Sequence, residues 1–523
     1  MSLLRRLHEL QAAHGYLSEA ALRDLSRRER VPLYRLQELV SFYPHFHTQP
    51  PPPVEVAVCR DMSCWLNGAA EVCRRLRDQH PGKGEVREVS CLGRCDLAPA
   101  GAVNGTPGPL EDTKDKSPGR HQERLAWRSD PYTSPAERYG VFRELLGLDR
   151  DQAAARVLAA LKDSGLRGMG GAGFPTGTKW ELVRKEARTP KYVICNADES
   201  EPGTFKDRVI LADLPHLVIE GMLLAGLVVG AERGILFIRH EYEPERRLFA
   251  QALDEARQAG LVGNGLDLEI FVSPGGYILG EETALLECLE DKRGEPRNKP
   301  PFPGTHGLFG QPTLINNVET LAMVPGIVRR GPDWWKGQGK PGFAGLKFIA
   351  LSGHVERPGV YEVPVGTTVR ELIEMGGGVK GGRALKAFAP GGASSNFLPA
   401  SMADVPLDFQ ALAKAGSMLG SGAVVVVAEG TDLRALATNV VRFFRNESCG
   451  KCVPCRVGTQ KAVELLEASG GAQPRRELEV LTEWGETLAL TSICGLGQVA
   501  LNPILSVMKH WPEEVRERPA GGA

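Results

Sequence analysis

The sequence lacks an excess of either charge and lacks a long apolar run, and each absence excludes a class of protein. Its 63 basic and 64 acidic residues leave a net charge of −1 and are mixed along the chain, so neither nucleic acid nor a strongly acidic partner is indicated. The longest apolar stretch, residues 214–231, contains His216 and Glu220, which favours a core helix over a membrane span. The first residues carry charges throughout and have no apolar segment of the secretory type. We therefore expect a cytoplasmic protein with no direct membrane insertion.

What the sequence does have is cysteine in two groups. Eight of its eleven cysteines form two sets of four, with spacings C-x4-C-x26-C-x3-C and C-x2-C-x2-C-x38-C. In a compartment that keeps thiols reduced, clustered cysteines indicate metal or redox sites and not disulfides. The first set is Cys59, Cys64, Cys91 and Cys95, and the second is Cys449, Cys452, Cys455 and Cys494. The remaining Cys73, Cys195 and Cys288 stand in apolar contexts typical of small buried side chains.

The number and spacing of the cysteines favour an iron–sulfur cluster over structural zinc, more clearly for the second set than for the first. Four thiolates are the ligand number of an iron–sulfur cluster, and two such sites on one chain suggest a path for single electrons. In the second set, three cysteines two residues apart can wrap one face of a [4Fe–4S] cubane, whereas zinc sites usually pair two C-x2-C hooks. A helix that starts near Arg456 would point its positive end at this cluster. For the first set, spacing alone leaves both [2Fe–2S] and zinc open.

The hydrophobic pattern divides the 523 residues into segments of different type, with no internal repeat. In order, they are three short helices, two short strands that lead into the first cysteines, a linker rich in Gly and Pro, an α/β segment, a small α+β unit and a helical segment (residues 1–50, 54–91, 101–134, 137–272, 346–428 and 433–510). Helices that alternate with short apolar strands predict a multidomain α/β protein.

A glycine-rich loop, GMGGAG at residues 168–173, is the first motif outside the cysteines. It matches G-x-G-x-x-G, but that fingerprint should follow a strand, and here it follows a predicted helix over residues 153–164. A glycine run still lets backbone N–H groups approach a phosphate closely. The loop is therefore predicted to hold a nucleotide in a fold that differs from the usual dinucleotide-binding one, with a tight turn as the alternative.

Two acidic segments lie further along the chain. Residues 196–201, NADESE, come directly after a predicted strand, and residues 280–282, GEE, open a predicted helix. Ligands of α/β domains are held at such strand ends and helix starts. Carboxylates and amides there can accept hydrogen bonds from ribityl hydroxyls or from an isoalloxazine N–H. Acidic helix starts are also ordinary capping chemistry, so both interpretations stay open.

Six motifs in order identify what the chain resembles. They are SGLRGMGGAGFPTGTKW, CNADESEPGTFKDR, GYILGEETALLECLE, RGEPRNKPPFPG, PTLINNVETLA and ESCGKCVPCRVGT (residues 164–180, 195–208, 276–290, 293–304, 312–322 and 447–459). Together they resemble the NADH-binding flavoprotein subunit of respiratory complex I, over residues 137–510. Residues 1–105, with HGYLSEAALRDLS, FYPHF and CLGRCDLAPA, resemble the thioredoxin-like [2Fe–2S] subunit of the same system. Fusion of the two is typical of diaphorase (β) subunits in soluble NAD-dependent formate dehydrogenases and NAD-reducing hydrogenases.

The resemblance implies a complete set of cofactor residues. FMN would be held by the glycine loop, the two acidic segments and a later strand end, namely Gly168, Gly170, Gly171, Lys179, Asn196, Asp198, Glu199, Gly280, Glu281, Glu282, Ile315, Asn316 and Asn317. NAD(H) would stack near Phe174 and Phe302, and the residues in contact with it would be Glu201 and Lys299. The first cysteine set would hold [2Fe–2S] and the second [4Fe–4S]. Hydride exchange with a flavin needs no protein acid or base, so we name no catalytic residue.

The resemblance also implies a fold for each part of the chain. The N-terminal domain would be thioredoxin-like, the FMN domain α/β and related to the Rossmann type without its usual fingerprint, the third domain a ubiquitin-like β-grasp of the SLBB type, and the last a helical bundle. The predicted division is a helical plus [2Fe–2S] domain, a linker, the FMN/NADH domain, the ubiquitin-like domain and the helical [4Fe–4S] domain (residues 1–105, 106–136, 137–340, 341–430 and 431–515).

The function that the resemblance implies is that of an NADH:acceptor oxidoreductase (diaphorase) subunit, within a soluble NAD-dependent formate dehydrogenase. The alternatives are a diaphorase subunit of an NAD-reducing hydrogenase or of a complex I-like NADH dehydrogenase and, in another class, a non-enzymatic electron carrier or scaffold. Met169 stands where complex I subunits usually have Arg, and an apolar residue there, with RVGT after Cys455, looks more like the formate dehydrogenase and hydrogenase branch. Nothing in the sequence suits a molybdenum or nickel–iron centre. The partners would therefore be a large catalytic subunit of the molybdenum formate dehydrogenase or hydrogenase type and further iron–sulfur subunits.

Overall fold

The computed structural model describes residues 2–79, 84–110, 127–263, 265–468 and 475–516. The chain begins with α1 (Leu3–His14), α2 (Glu19–Glu29) and α3 (Leu33–Phe42). Each buries leucines three or four residues apart, such as Leu4 and Leu7 of α1, which is the pattern of an amphipathic helix. The side chains of Ser2 and Ser18 cap α1 and α2. The three short helices predicted within residues 1–50 are therefore present.

A small sheet carries the first cysteines. Its elements are β1 (Glu55–Cys59), α4 (Met62–Leu66), α5 (Ala69–Gln79), β2 (Glu85–Val89), β3 (Ala100–Val103) and β4 (Thr106–Pro109). The strand order is β2-β1-β3-β4, with β1 parallel to β2 and antiparallel to β3. Because β4 pairs with β3, the sheet continues beyond residue 105, where we predicted that the linker begins.

The central domain is built on a four-stranded parallel sheet. Its elements are α6 (Gly140–Leu146), α7 (Arg150–Ser164), α8 (Thr176–Lys185), β5 (Tyr192–Ala197), α9 (Lys206–Asp213), α10 (Pro215–Val229), β6 (Arg233–Arg239), α11 (Glu243–Gln258), β7 (Asp267–Ser273), α12 (Glu282–Leu289), α13 (Pro303–His306), β8 (Thr313–Asn317), α14 (Val318–Arg330) and α15 (Pro332–Lys336). The order of the strands across the sheet is β7-β6-β5-β8. The chain adds β6 and then β7 on one side of β5 and returns to add β8 on the other side, so the topological switch point lies between β5 and β8. A crevice therefore opens at the carboxyl ends of these two strands, where open α/β sheets bind ligands.

The helix predicted from the longest apolar stretch is α10. It is buried against α7 and α14 on one face of the sheet, as a core helix should be. Within the described residues no single helix is long and apolar enough to span a membrane. Only α9 and α10 taken together reach that length and composition, and they are bent by 95°.

The third and fourth units follow without a break. The third comprises β9 (Leu346–Gly353), β10 (Gly359–Pro364), α16 (Val369–Met375), β11 (Leu385–Ala389), β12 (Leu398–Pro399), α17 (Phe409–Lys414) and β13 (Ala423–Ala428), in the order β10-β9-β13-β11-β12. The fourth comprises α18 (Leu433–Asn446), α19 (Val453–Ala468), α20 (Arg475–Thr491), α21 (Gly495–Val499), α22 (Asn502–His510) and α23 (Pro512–Arg516). α19 begins at Val453 and not near Arg456, so Cys455 lies in its first turn.

The N-terminal helices dock on the central domain. The Asp291 carboxylate accepts hydrogen bonds from Leu3 N at 2.9 Å, Leu4 N at 3.0 Å and Ser2 Oγ at 2.5 Å, so a residue of the central domain completes the cap of α1. Leu4 shares one hydrophobic cluster with Phe237 of β6 and with residues of α18. The N-terminal helices, the central domain and the helical fourth unit therefore pack on a common core at one face of the parallel sheet.

Candidate functional site

Polar residues from several segments meet at the crevice between β5 and β8. The Asn196 side chain, near the end of β5, donates from Nδ2 to the Gly280 carbonyl at 2.9 Å, which brings the two acidic segments together. Asn317, the last residue of β8, caps α14 and donates to Asp207 at 2.6 Å. The strand ends therefore fix the segments that we predicted to hold FMN.

The glycine loop lies over the end of β8. Met169 N donates to Thr320 Oγ1 of α14 at 2.8 Å. A Cβ atom placed on Gly170 would lie 3.1 Å from the Asn317 Cβ, and Gly171 has a φ of 124° that few other residues adopt. The loop follows α7, as predicted, and reaches the crevice from the helix side and not from a strand. Gly168 N also bonds within the loop, to the Phe174 carbonyl oxygen at 2.9 Å, whereas Gly170 is exposed and Gly171 is half-buried, so this part of the loop is open to solvent.

Asp198 is the one candidate carboxylate whose two oxygens both lack a partner with good hydrogen-bond geometry among the described residues, although the Ser273 side chain lies close enough to favour its ionised form. It is 5% exposed, and burial raises its pKa to about 7. A buried carboxyl group without partners is costly, which indicates that a ligand atom completes it. Glu199 differs, since its oxygens accept from Asp207 N, Arg208 N and Tyr242 Oη at 2.9, 3.2 and 2.9 Å. The Glu199 carboxylate therefore caps α9.

The second acidic segment forms a charge cluster with two lysines. Glu281 caps α12 by accepting from Thr283 N and Ala284 N, so its carboxylate has the structural role that we left open. Glu282 accepts from Lys179 Nζ at 3.4 Å and Lys299 Nζ at 3.0 Å. Burial disfavours ionisation of Glu282, but the two ammonium groups outweigh burial and lower its pKa. Lys299 Nζ also lies 2.9 Å from a Glu281 carboxylate oxygen, so two carboxylates and two ammonium groups form one ion-pair network in this segment.

The residues predicted to contact NAD(H) differ in exposure, since the two aromatic rings are exposed and hydrogen bonds fix the Glu201 side chain. Phe174 is 48% exposed and Phe302 is 58% exposed, which leaves two aromatic faces open to a ligand. Glu201 is held in place, because its oxygens accept from Ser394 N at 2.6 Å and from Tyr277 Oη at 2.5 Å. Burial raises the pKa of Glu201. Ser394 belongs to the third unit, so that unit helps to position this side chain.

Two of the residues predicted to hold FMN have side chains that face the core. Ile315 is 4% exposed and packs in the hydrophobic cluster beneath the sheet end. Asn316 is 6% exposed, and its Oδ1 accepts from Trp180 Nε1 at 2.8 Å. Their side chains therefore support the crevice floor, and their backbone is the part nearest to it.

The four N-terminal cysteines are brought together on loops and helix starts of the small sheet. Cys59 ends β1, Cys64 lies in α4, and Cys91 and Cys95 follow β2. All four are buried, and the Sγ atoms of Cys91 and Cys95 are 3.6 Å apart. Cys59 lies beside both Cys64 and Cys91. Four thiols in one buried site match the donor set of a [2Fe–2S] cluster.

The four C-terminal cysteines line one pocket. Cys449 and Cys452 lie just before α19, Cys455 lies in its first turn, and Cys494 precedes α21. Burial raises the pKa of Cys455 to about 11 and that of Cys494 to about 12. In the part of the chain that the structure describes, no three His, Cys, Asp or Glu side chains converge as a single metal ion would require. The four thiols nevertheless line one pocket, as the ligands of one cluster would.

Sequence reasoning missed the residues that join the first cysteine site to the crevice. Arg94 forms a two-point ion pair with Glu245 at 2.7 and 3.0 Å, and Arg208 pairs with Asp96 at 2.7 Å. Arg239 donates to the carbonyl oxygens of Cys91 and Glu199. Arg239 ends β6, and the position of a charged residue at the end of an apolar strand is the signal that could have found it.

Models of four known protein domains match the chain. They are the Nuo51 FMN-binding domain over residues 161–326, the NADH-ubiquinone oxidoreductase-F iron–sulfur binding region over 435–518, the thioredoxin-like [2Fe–2S] ferredoxin over 1–116 and the SLBB domain over 348–395. They confirm the predicted folds and the predicted cofactors FMN, [4Fe–4S] and [2Fe–2S], and they contradict the zinc alternative for the first cysteine set.

Similar proteins extend this result over the whole chain. The NADH-quinone oxidoreductase F 2 subunit of Rhizobium meliloti is 44% identical over 385 residues, which cover 72% of this chain and 91% of the relative. The corresponding F subunit of Escherichia coli is 42% identical, over 76% of this chain and 90% of the relative. A chain of an NAD⁺-reducing [NiFe]-hydrogenase has a TM-score of 0.86 and 35% identity, over 99% of this chain and 94% of that chain. The chain therefore belongs to the family of NADH-quinone oxidoreductase F subunits, as an NAD(H)-dependent flavin and iron–sulfur oxidoreductase subunit.

Proposed function

We propose that this chain exchanges hydride with NAD(H) at a flavin in the β5–β8 crevice and passes single electrons through its two cysteine sites. The observation that carries the proposal is the convergence of the glycine loop and the two acidic segments at this crevice, since the loop contacts Asn317 and Thr320 and Asn196 binds Gly280. When bound, FMN supplies the two-electron exchange with NAD(H) and the one-electron transfer to the clusters. The protein binds and orients the reactants and excludes water.

The roles of the individual residues follow from their positions. Backbone N–H groups of the glycine loop and the Lys179 ammonium group would bind the FMN phosphate. Asp198 would accept a hydrogen bond from the flavin ring, and Asn196 would hold the segment that carries Asp198. Phe174 and Phe302 would stack with NAD(H), and Glu201 and Lys299 would contact it. The full proposed cofactor set is Gly168, Gly170, Gly171, Phe174, Lys179, Asn196, Asp198, Glu199, Glu201, Gly280, Glu281, Glu282, Lys299, Phe302, Ile315, Asn316 and Asn317.

The direct test is the content and activity of the purified chain. We expect flavin absorption, iron with acid-labile sulfide, and reduction of an artificial dye by NADH, with no oxidation of formate or hydrogen. Iron–sulfur clusters without flavin and without dye reduction would instead support the electron carrier or scaffold. The domain division at residues 105, 136, 340 and 430 stays a prediction, which limited proteolysis can test.

We further propose that the chain works in a cytoplasmic complex with a large catalytic subunit and additional iron–sulfur subunits. A formate dehydrogenase is one candidate, because Met169 and RVGT after Cys455 resemble the branch that formate dehydrogenases share with hydrogenases. An NAD-reducing hydrogenase is the second, supported by the likeness over 99% of this chain to a chain of such a hydrogenase, whereas the two F subunits align with 72% and 76% of it. Molybdenum in the native complex would support the first, and nickel the second.

Gly171→Ala should weaken FMN binding. At Gly171, φ is 124° and the nearest atom to an added Cβ lies 3.9 Å away, so the substitution introduces strain without a clash. Such strain is about 1–3 kcal/mol, and a loop that relieves it moves its N–H groups, which corresponds to a loss of FMN affinity of roughly tenfold or more. Fluorescence titration of flavin-depleted protein measures this affinity. The control Gly378→Ala, at a φ of 92° with open space around it, should leave FMN affinity unchanged.

Glu201→Ala should raise the KM for NADH several-fold and leave FMN content unchanged. We assign Glu201 to the NAD(H) side, and the loss of a contact made equally in ground and transition states raises KM with little change in kcat. Steady-state dye reduction measures both constants. Tyr277→Phe removes one hydrogen bond to Glu201 but keeps its charge, so its effect should be smaller. Loss of flavin from Glu201→Ala at unchanged KM would show that the role is wrong.

A further inference from the structure

Arg239 is a buried cation that contacts both cofactor sites. It is 3% exposed and ends β6. Its Nη1 donates to the Glu199 carbonyl oxygen at 2.5 Å, and its Nη2 donates to the Cys91 carbonyl oxygen at 2.7 Å. Cys91 belongs to the first cysteine site, and Glu199 belongs to the segment that follows β5 in the crevice. One rigid guanidinium group therefore sets the distance between backbone atoms of two domains.

The neighbouring arginines are neutralised in a different way. Arg94 of the cysteine loop pairs with Glu245 of α11, and Arg208 of α9 pairs with Asp96 of the cysteine loop. Each of these pairs joins an anion and a cation across the domain boundary. The anion of Arg239 comes from its own segment, because Glu241 accepts from its Nε at 2.9 Å and from its Nη2 at 2.7 Å. Arg239 thus presents a cation to the cysteine loop without a carboxylate from that loop.

The loop fits closely around this arrangement. The Tyr242 ring lies under the guanidinium groups of Arg239, at 5.1 Å, and Arg94, at 5.7 Å. A Cβ atom on Gly93, whose φ is 67°, would collide with the Tyr242 side chain. The peptide groups between Cys91 and Cys95 are therefore held against a layer of buried arginines. Water has little access to screen their charge, so the electrostatic effect on a bound cluster is strong.

We propose that Arg239 is a positioning residue for electron transfer, which fixes the Cys91 carbonyl against the Glu199 carbonyl and raises the reduction potential of the [2Fe–2S] cluster. Reduction adds one electron to the cluster, and a buried cation stabilises the added negative charge. Charge and hydrogen bonds around the ligands are known determinants of cluster potentials. The electron comes from NADH oxidation at the flavin, so this inference rests on the proposed function.

Redox titration of the purified full chain, followed by EPR, tests the proposal with two variants that should shift the [2Fe–2S] potential in opposite directions. Arg239→Gln removes the cation, and we expect the ratio of reduced to oxidised [2Fe–2S] at a fixed potential to fall about tenfold, which is about 59 mV for a one-electron couple. Glu241→Gln removes the anion and leaves the cation, so the same ratio should rise. Arg239→Lys keeps the charge and should restore most of the wild-type potential. The [4Fe–4S] signal should keep its potential in all three variants.

The control is Arg184→Gln, since Arg184 contacts only Asp151 and the Val228 carbonyl oxygen in the described hydrogen bonds, and it should shift neither cluster. Unchanged [2Fe–2S] potentials in both Arg239→Gln and Glu241→Gln would overturn the proposal. If Arg239→Gln does not assemble the cluster, the direction in which the [2Fe–2S] potential shifts in Glu241→Gln decides whether the proposal holds. Absence of a [2Fe–2S] signal or of flavin in the wild-type chain would instead refute the proposed function itself.

Discussion

Cys452→Ser should abolish the EPR signal of the [4Fe–4S] cluster and leave the [2Fe–2S] signal and the FMN content intact. Cys452 lines the C-terminal pocket with three other cysteines, and a serine hydroxyl is a poor replacement for a thiolate ligand. The N-terminal thiols and the β5–β8 crevice draw none of their described contacts from this residue. Dye reduction by NADH should persist if dyes accept electrons at the flavin, whereas transfer to a native partner complex should fall below detection if the C-terminal cluster is the exit.

Cys73→Ser is the matched control for this substitution. Cys73 is equally a cysteine, is buried in α5 and belongs to neither set of four. Both EPR signals should survive in that variant. If Cys452→Ser also removed the [2Fe–2S] signal while the protein stayed folded, the two cysteine sets would not be independent sites.

Arg94→Ala should destabilise the N-terminal unit by about 3–5 kcal/mol, the usual effect of leaving one member of a buried ion pair without its partner. Arg94 and Glu245 have side chains that are 7% exposed and form two hydrogen bonds across the domain boundary. Without the arginine, the Glu245 carboxylate stays buried and unpaired. Urea unfolding, followed by loss of the N-terminal cluster's visible absorption, should show the midpoint of this unit fall.

The double variant Arg94→Met/Glu245→Met distinguishes two causes of destabilisation. One is the burial of an unpaired Glu245 carboxylate, and the other is the loss of the attraction between the two charges. Replacing both members by apolar side chains of similar size is often close to neutral, so its midpoint should lie near that of the wild-type chain. Equal destabilisation in the single and double variants would show that the ion pair itself stabilises docking, and that the unpaired Glu245 contributes little.

The sequence predicted the parts of the site that depend on residue type and spacing. Both cysteine sets converge as expected, because ligand spacing directly limits which thiols can share a cluster. The glycine loop follows a helix and reaches the crevice, which agrees with the argument against the usual dinucleotide-binding fold. The apolar stretch with His216 and Glu220 is a core helix, since Tyr132 and the Phe142 backbone N–H satisfy the Glu220 carboxylate.

The sequence did not show how each acidic residue is used. Glu199 and Glu281 look equivalent to Asp198 in the sequence, yet both cap helices, and Asp198 alone of the three lacks a partner with good hydrogen-bond geometry among the described residues. That distinction depends on which helix start folds next to each carboxylate. The arginines that join the domains were invisible for a similar reason, because Arg94 and Glu245 are 151 residues apart. Contacts across such a distance have no local pattern.

The cap of α1 has a consequence for how the chain is made. Asp291, which binds Leu3 N, lies 288 residues further along the chain, so a ribosome must add most of the central domain before the cap of the first helix is complete. Isolated helices of 12 residues are only marginally stable in water, and contacts between distant parts of a chain form slowly. We therefore expect the N-terminal segment to stay protease-sensitive on stalled nascent chains shorter than about 300 residues, and to become protected only after residue 291 has left the exit tunnel.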